Sequence, residues 1–356
     1  MKIENHTISN FYIRKHFENG IRMGVNRQRL LTSSGLTEEL IYQPLARVRP
    51  QVMADLINCV AKESDDEFLG MALRSVRCGS FAYLAEHLVA HNTLLDVYQE
   101  MIRFYNLVAE GVRFSLSTTG DQALFAMRHD PALNHKINLL IDFLMLIWHR
   151  FPGWLIGQTI PLHHVQLPFA KPEHFSEYRF VFPSACHFEQ NQSALVFDQQ
   201  WLHAPVIQSK AQLLAYLPTL PVQWFQKQSY QKLITTQVVQ KLEQVEWGAD
   251  TSIDQIASQL HMTARTLRRK LTAEGYSFQH LKNEWRRDQA INLLGDSTYT
   301  ISQIALRVGF SEPAAFTRAF KKWTGISPRR YRQSWRVDVT NSQYSSITNQ
   351  KVVLES

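Results

Sequence analysis

The chain has 356 residues, 45% apolar, 19% charged and 11% aromatic, which is long enough for two or three domains and excludes a largely disordered polymer. Net charge is +7, and it is unevenly spread. Residues 223–336 hold 18 basic and 9 acidic side chains, a net of +9, whereas the rest holds 20 and 22; a basic module joined to a neutral one suits a polyanionic partner, with nucleic acid as the first candidate.

The opening stretch, MKIENHTISNFYIRKHF, lacks the basic start and apolar run of a signal peptide. HLVAHNTLLDVYQEMIRFYNLVAEG reads as a helix pair, with Asn92 or Thr93 as the cap. GVRFSLSTTGDQALFAMRHD is two alternating strands about a Thr-Gly-Asp turn. NHKINLLIDFLMLIWHR is a helix; its most apolar stretch, residues 137–148, includes Asp142 and is too short to span a bilayer, so it reads as buried and implies no membrane role. TIPLHHVQLPF and SALVFD are strand-like, and PEHFSEYRFVF between them is helical. The expected boundary falls in AYLPTLPVQW, where Pro218 and Pro221 bar a continuous helix. The predicted division is 1–220, α+β; 221–336, all-α; and a disordered tail at 337–356, rich in Ser, Asn, Thr and Gln.

The all-α part contains an internal repeat. Ile253, Gln255, Ile256 and Ala257 match Ile301, Gln303, Ile304 and Ala305 at an offset of 48. One extra residue then enters the second copy, and Leu267, Arg269 and Leu271 match Phe316, Arg318 and Phe320. Each copy reads as helix, tight turn, helix. In the first, Ser252 caps one helix and Thr263 the next, across the break at HMT. In the second, Thr300 caps, Gly309 turns, and Ser311 caps a helix with Pro313 in its first turn. SFQHLKNEWRRDQAINLLGDS joins the copies as an amphipathic helix with Phe278, Leu281, Trp285, Ala290, Ile291 and Leu294 inward, ending at Gly295. SYQKLITTQVVQKLEQ precedes the first copy as a helix, and WTGISPRRYRQ closes the second. The prediction is seven helices carrying two helix-turn-helix motifs.

Over residues 229–332 these motifs resemble the AraC/XylS family of bacterial transcription regulators. The resemblance rests on IASQLHMTARTLRRKL, EGYSFQHLKNEWRRDQAINLL and TISQIALRVGFSEPAAFTRAFKKWTGISPRRYR, with their spacing. The front resembles the so-called arabinose-binding domain of metabolite-responsive members, through FLGMALRSVRCGSFAYLAEHLVAHNTLLDVYQEMIRFYNLVAEGVRFSL and FSEYRFVFPSACHFEQNQSALVFDQQWLHAPV. It carries no sugar-site signature. It departs from that pattern at Phe182-Pro183, where relatives carry Phe-Gly, and at Ala185-Cys186, where they carry Pro-Val.

On the second helix of copy one, Leu267 and Leu271 form the buried stripe, so Arg265, Arg268 and Arg269 project from the other side. The resemblance implies that Arg265 and Arg269 read bases, with Arg268 also on the DNA face; arginine suits bidentate contact with guanine. In copy two Phe316 and Phe320 are the core pair, which leaves Ala314, Ala315, Thr317 and Arg318 for the groove. The two alanines suit thymine methyls or close approach. Lys270, Lys321, Lys322, Arg329 and Arg330 are expected at phosphates. An isolated RRK is ordinarily a solvated helix face; the repeat, the caps and the segregated charge decide against that here.

Two readings from other classes compete. One is a regulator without ligand, whose front only oligomerises. The other is a DNA-modifying enzyme using Cys186, which stands beside His187 but lacks the Pro-Cys-His-Arg surroundings of repair methyltransferases. Cys59, Cys78 and Cys186 form no CxxC and point to a reducing cytosol without disulfides. His163 and His164 are adjacent on a strand and face opposite ways, so no metal and no cofactor is expected. The expected protein is a cytoplasmic activator that is not an enzyme. Its expected partners are double-stranded promoter DNA, RNA polymerase, an unidentified small-molecule effector and, in a homodimer, a second copy.

Overall fold

The computed structural model describes residues 7–133, 137–182, 184–225, 233–245, 251–296 and 298–334. The expected tail lies outside the described residues. The front opens with a two-stranded antiparallel ribbon, β1 (Ile8–Ser9) against β2 (Arg47–Val48). Around it stand helices Asn10–Arg22, Arg27–Ser34 and Pro50–Ser64. Their buried faces (Ile13 and Phe17; Leu30; Met53, Leu56 and Val60) meet in one core.

The expected helix pair is Ser80–Leu88 and Leu94–Val108. Thr93 caps the second in a reciprocal box with Asp96. The hairpin is β3 (Val112–Thr119) and β4 (Gln122–His129), paired from Val112↔His129 to Thr119↔Gln122, with Gly120 at φ 60° in the turn. β5 (Leu162–Gln166), β6 (Ala185–His187) and β7 (Ser193–Asp198) complete a sheet in the order β3-β4-β7-β5-β6. Every pairing is antiparallel except β5 with β6. The buried helix Ile137–Leu155 packs on β7. Helix Lys210–Tyr216 stops before Pro218, and Val222–Phe225 starts after a cis Leu220–Pro221 bond.

Seven helices follow among the described residues: Ile234–Glu243, Ile253–Gln259, Ala264–Ala273, Phe278–Leu294, Ile301–Arg307, Pro313–Thr324 and Pro328–Gln333. They do not share one core. Ile234, Val238, Leu242, Ile256, Ala257, Leu267, Leu271 and Leu281 form a small cluster of their own. Ile304, Ala305, Val308, Phe316, Phe320 and Tyr331 instead belong to the cluster that fills the front.

One local expectation is corrected. Ser311 does not cap the helix at Pro313; Glu312 holds the cap position in extended geometry, without a side-chain cap bond. Proline fixes the start, because its ring presets φ and it has no N–H to satisfy. Gly295 does end the connecting helix, but at φ −70°, not in the left-handed region. Its missing side chain serves a close approach, since a Cβ there would lie 2.9 Å from Cζ of Arg49.

Candidate nucleic-acid interface

In the first repeat, Ser252 and Gln255 form a capping box that starts Ile253–Gln259. The turn places His261 at φ 53°, a left-handed conformation uncommon for L side chains but one that Asn, Asp and His adopt more readily than most. Thr263 then caps Ala264–Ala273, its hydroxyl accepting from the Thr266 N–H at 3.2 Å. Leu267 and Leu271 are fully buried on one side. Arg265, Arg268, Arg269 and Lys270 are all exposed on the other. The helix is held at its far end by Glu274, whose carboxylate accepts from the backbone N–H groups of Ile234 (2.7 Å) and Thr235 (2.9 Å). That carboxylate also favours the positive N-terminal end of helix Ile234–Glu243.

The second repeat copies this frame. Thr300 and Gln303 form the matching box, and Gly309 at φ 82° takes the place of His261. Phe316 and Phe320 are fully buried. Ala314, Arg318, Lys321 and Lys322 are exposed; Ala315 and Thr317 are half-buried. The Thr317 hydroxyl donates to the Pro313 carbonyl at 3.0 Å, so its oxygen is left to accept. Ser327 caps Pro328–Gln333, which carries Arg329 and Arg330 on its exposed side. Arg330 also pairs with Glu39 of the front at 2.5 Å. Thus the structure leaves all four basic side chains of the first helix exposed, Arg265 and Arg269 opposite the buried leucines with Arg268 and Lys270 on the flanks, and gathers Arg318, Lys321 and Lys322 on one face of the second helix.

Positioning residues that sequence reasoning missed sit on the connecting helix. Lys282 is buried and donates to the Thr251 carbonyl at 2.7 Å, which ties the first repeat down. Arg286 is buried, donates to the Gly309 carbonyl at 2.9 Å and lies 5.0 Å from the Phe310 ring centre, which fixes the turn of the second repeat. Asp288 is buried and accepts from Thr7 at 2.7 Å. The helical period placed the apolar residues inward but gave no sign that these charged ones were buried too.

The other singled-out groups lie away from these faces. Cys186 sits on β6, and burial pushes its thiol up to about 12, so it is not a ready nucleophile. His164 stacks on His187 across the parallel β5–β6 pair at 4.8 Å. Among the described residues no group of three or more His, Cys, Asp and Glu gathers as a metal site. Among them, too, no helix is long and apolar enough to cross a membrane.

Residues 24–206 match the arabinose-binding domain of AraC transcription regulators, and residues 256–334 match a helix-turn-helix domain. The chain belongs to the AraC family of transcription regulators. It is 26% identical over 322 residues to an ornithine utilization regulator of Pseudomonas aeruginosa, covering 87% of this chain and 92% of that one. A urease operon transcriptional activator of Escherichia coli is 39% identical over 80 residues, 22% of this chain and 27% of that protein. The solved transcriptional regulator CdpR of Pseudomonas aeruginosa is 20% identical, with 72% of this chain and 84% of that one covered at a TM-score of 0.30. As an AraC-type regulator, the chain uses its helix-turn-helix region to bind DNA.

Proposed function

We propose that this AraC-family regulator grips promoter DNA with both repeats of residues 221–336 and activates transcription in the cytoplasm, with residues 1–220 as the sensing and self-associating part. Arg265, Arg268 and Arg269 read bases from the first repeat; Ala314, Ala315, Thr317 and Arg318 approach them from the second. Lys270, Lys321, Lys322, Arg329 and Arg330 meet phosphates. Arg330 exchanges its Glu39 partner for a phosphate, or shares it between the two. Its partners in this reading are RNA polymerase, an unidentified small-molecule effector and, in a homodimer, a second copy. The reading involves no catalysis and assigns no chemistry to Cys186.

The observation that carries it is one geometry found twice: a turn at a positive-φ residue leads into a helix whose apolar stripe is buried and whose opposite face is exposed and basic. A helix of that kind fits the major groove, and Lys and Arg supply the affinity. The test is selection of binding sites from random duplex DNA by the full chain and by three variants. Arg269→Ala and Arg318→Ala should each cost about 1–3 kcal/mol and relax preference at particular base pairs. Lys322→Ala should weaken all sequences about equally and lower the salt slope by roughly one. If all three select the wild-type motif unchanged, the assignment of base readers fails.

A further inference from the structure

A half-open cavity of about 60 Å³ lies in the front, walled by Ile8, Met53, Leu139, Leu146 and Phe143, with Trp224 of the short helix Val222–Phe225 beside them. Into this apolar wall come the buried side chains of His16, on helix Asn10–Arg22, and Asp142, on helix Ile137–Leu155. Oδ2 of Asp142 accepts from the Tyr12 hydroxyl at 3.1 Å, and the Tyr178 hydroxyl also interacts with this carboxyl, while no donor sits at hydrogen-bond distance of Oδ1. Nδ1 of His16 has none either. His174 Nε2 stands 3.9 Å from Oδ2 of Asp142, a loose contact that favours the ionised carboxyl without filling Oδ1. Burial pushes the Asp142 carboxyl above the usual carboxylate range. Burial also holds the His16 ring down at about 4, hence neutral with one nitrogen free to accept. An unfilled buried carboxyl oxygen is costly, and beside an unpartnered imidazole nitrogen in the same apolar cavity it makes a receptor for a group rich in donors. A primary ammonium has three donors and the charge to match the carboxylate. The aromatic side chains of Tyr12, Phe143 and Trp224 also line the cavity, a setting that favours a cation over an anion.

The same cavity touches the joint with the second repeat. Thr7 and Glu177 line it. Glu177 holds Arg47 through both carboxylate oxygens, at 2.6 and 2.9 Å. Arg47 Nε donates to the Thr7 hydroxyl at 2.8 Å, and that hydroxyl donates to Asp288 on the connecting helix at 2.7 Å. All four side chains are buried or nearly so. A ligand that moves Thr7 or Glu177 therefore disturbs a chain of charge-assisted bonds that ends on the helix between the two repeats.

We propose that this cavity is a site for a small primary amine with a branched apolar tail, and that its occupancy is passed to the second helix-turn-helix repeat through Thr7, Glu177, Arg47 and Asp288. The proposal rests on the reading of the chain as a DNA-binding regulator and names the ligand chemistry for it.

Isopentylamine, isopentyl alcohol and isovalerate share a tail and differ in the head group. In thermal unfolding of the full chain, the amine at about ten times its Kd should raise Tm by roughly 2 °C or more. The alcohol and the acid should leave it unchanged. Asp142→Asn should abolish the amine's effect. Should that variant fold poorly, the three-ligand comparison on the wild-type chain stands without it. A shift with the alcohol or acid as large as with the amine, or no shift with any of them, overturns the site. Affinity for a duplex selected by the wild-type chain is then measured with and without amine. A change of about 5-fold or more is expected. Asp288→Asn should keep the thermal shift and lose the change in DNA affinity. If the amine binds and DNA affinity does not move, the coupling is overturned while the site survives. If the ligand-free chain selects no DNA at all, the regulator reading itself fails, independently of the cavity.

Discussion

The two helix-turn-helix repeats share the cap of their first helix, the positive-φ turn and the apolar spacing, yet they live in different surroundings. The first closes on its own small cluster, with Leu267 and Leu271 facing Val238, Leu242 and Leu281. The second buries Phe316, Phe320 and Tyr331 in the cluster that also fills the front. Tyr331 donates to the Arg47 carbonyl across that joint, and Gly325 is pressed so close to Gln43 that a Cβ would lie 2.6 Å from its side chain. A repeat in sequence specifies a local motif; what the motif leans on is decided by side chains outside the repeated pattern. The first repeat therefore packs as a unit of its own, and the second packs together with the front.

The comparison is broken most severely in the cores. Phe316→Ala should cost about 3–5 kcal/mol and Leu267→Ala about 2–5. The difference lies in extent. Hydrogen exchange should rise through the front and the second repeat in Phe316→Ala, but only in residues 233–285 in Leu267→Ala. Uniform loosening in both variants would mean that the two clusters act as one. Arg47→Met removes the cation that faces Glu177, Thr7 and Asp288, and should cost about 3–5 kcal/mol because buried partners are left unmatched. Urea unfolding measures it. A loss under 1 kcal/mol would show that the joint does not depend on this network.

Acid sharpens the contrast by a smaller amount. Burial lowers His16 to about 4 and His149 to about 3, and both sit in the front. The unfolded chain, near 6.5, binds protons that the native chain refuses, so stability falls as pH drops from about 6.5 toward 4. The slope is about 1.4 kcal/mol per pH unit for each histidine. Pulse proteolysis at pH 7 and 5.5 should release the front and second repeat together. His149→Gln, which keeps a donor for the Ile160 carbonyl, should roughly halve the slope. An unchanged slope would place the acid sensitivity elsewhere.

The turns differ by less still. Gly309→Ala forces a side chain to φ 82° and should cost about 1–2 kcal/mol. His261→Gly relieves the same strain at φ 53° and should change stability by under about 1 kcal/mol in either direction, since glycine adds unfolded-state freedom. Thermal unfolding of the two variants checks this, and a large loss in His261→Gly would give the imidazole a role beyond the turn.

The repeats were legible because their signals are local: Ser252, Thr263 and Thr300 cap as read, and Gly309 turns as read. The hairpin was legible for the same reason, its loop and its alternation lying within twenty residues. Ser311 misled because serine is the commoner cap, while the next-but-one proline controls where the helix begins. The sheet order was not legible, since β7 enters between β4 and β5 and no residue of β5 announces that partner. The burial of Lys282, Arg286 and Asp288 was hidden for a related cause. Each is satisfied by a group far along the chain, respectively the Thr251 carbonyl, the Gly309 carbonyl and Thr7. Asp142 was visible as a break in an apolar run, but its unfilled oxygen exists only once helices 10–22 and 137–155 lie together.

Hydroxyl-radical footprinting of the full chain on a duplex it has selected tests the central claim, that two unlike repeats on one rigid helix grip DNA together. The account predicts protection on one face of the duplex at two major-groove segments about 34 Å apart. The two half-motifs should be unlike each other and in direct orientation, because ARTLRRK and AAFTRAF present different side chains. A single palindromic site shared by two chains, each protecting one groove segment only, would contradict it.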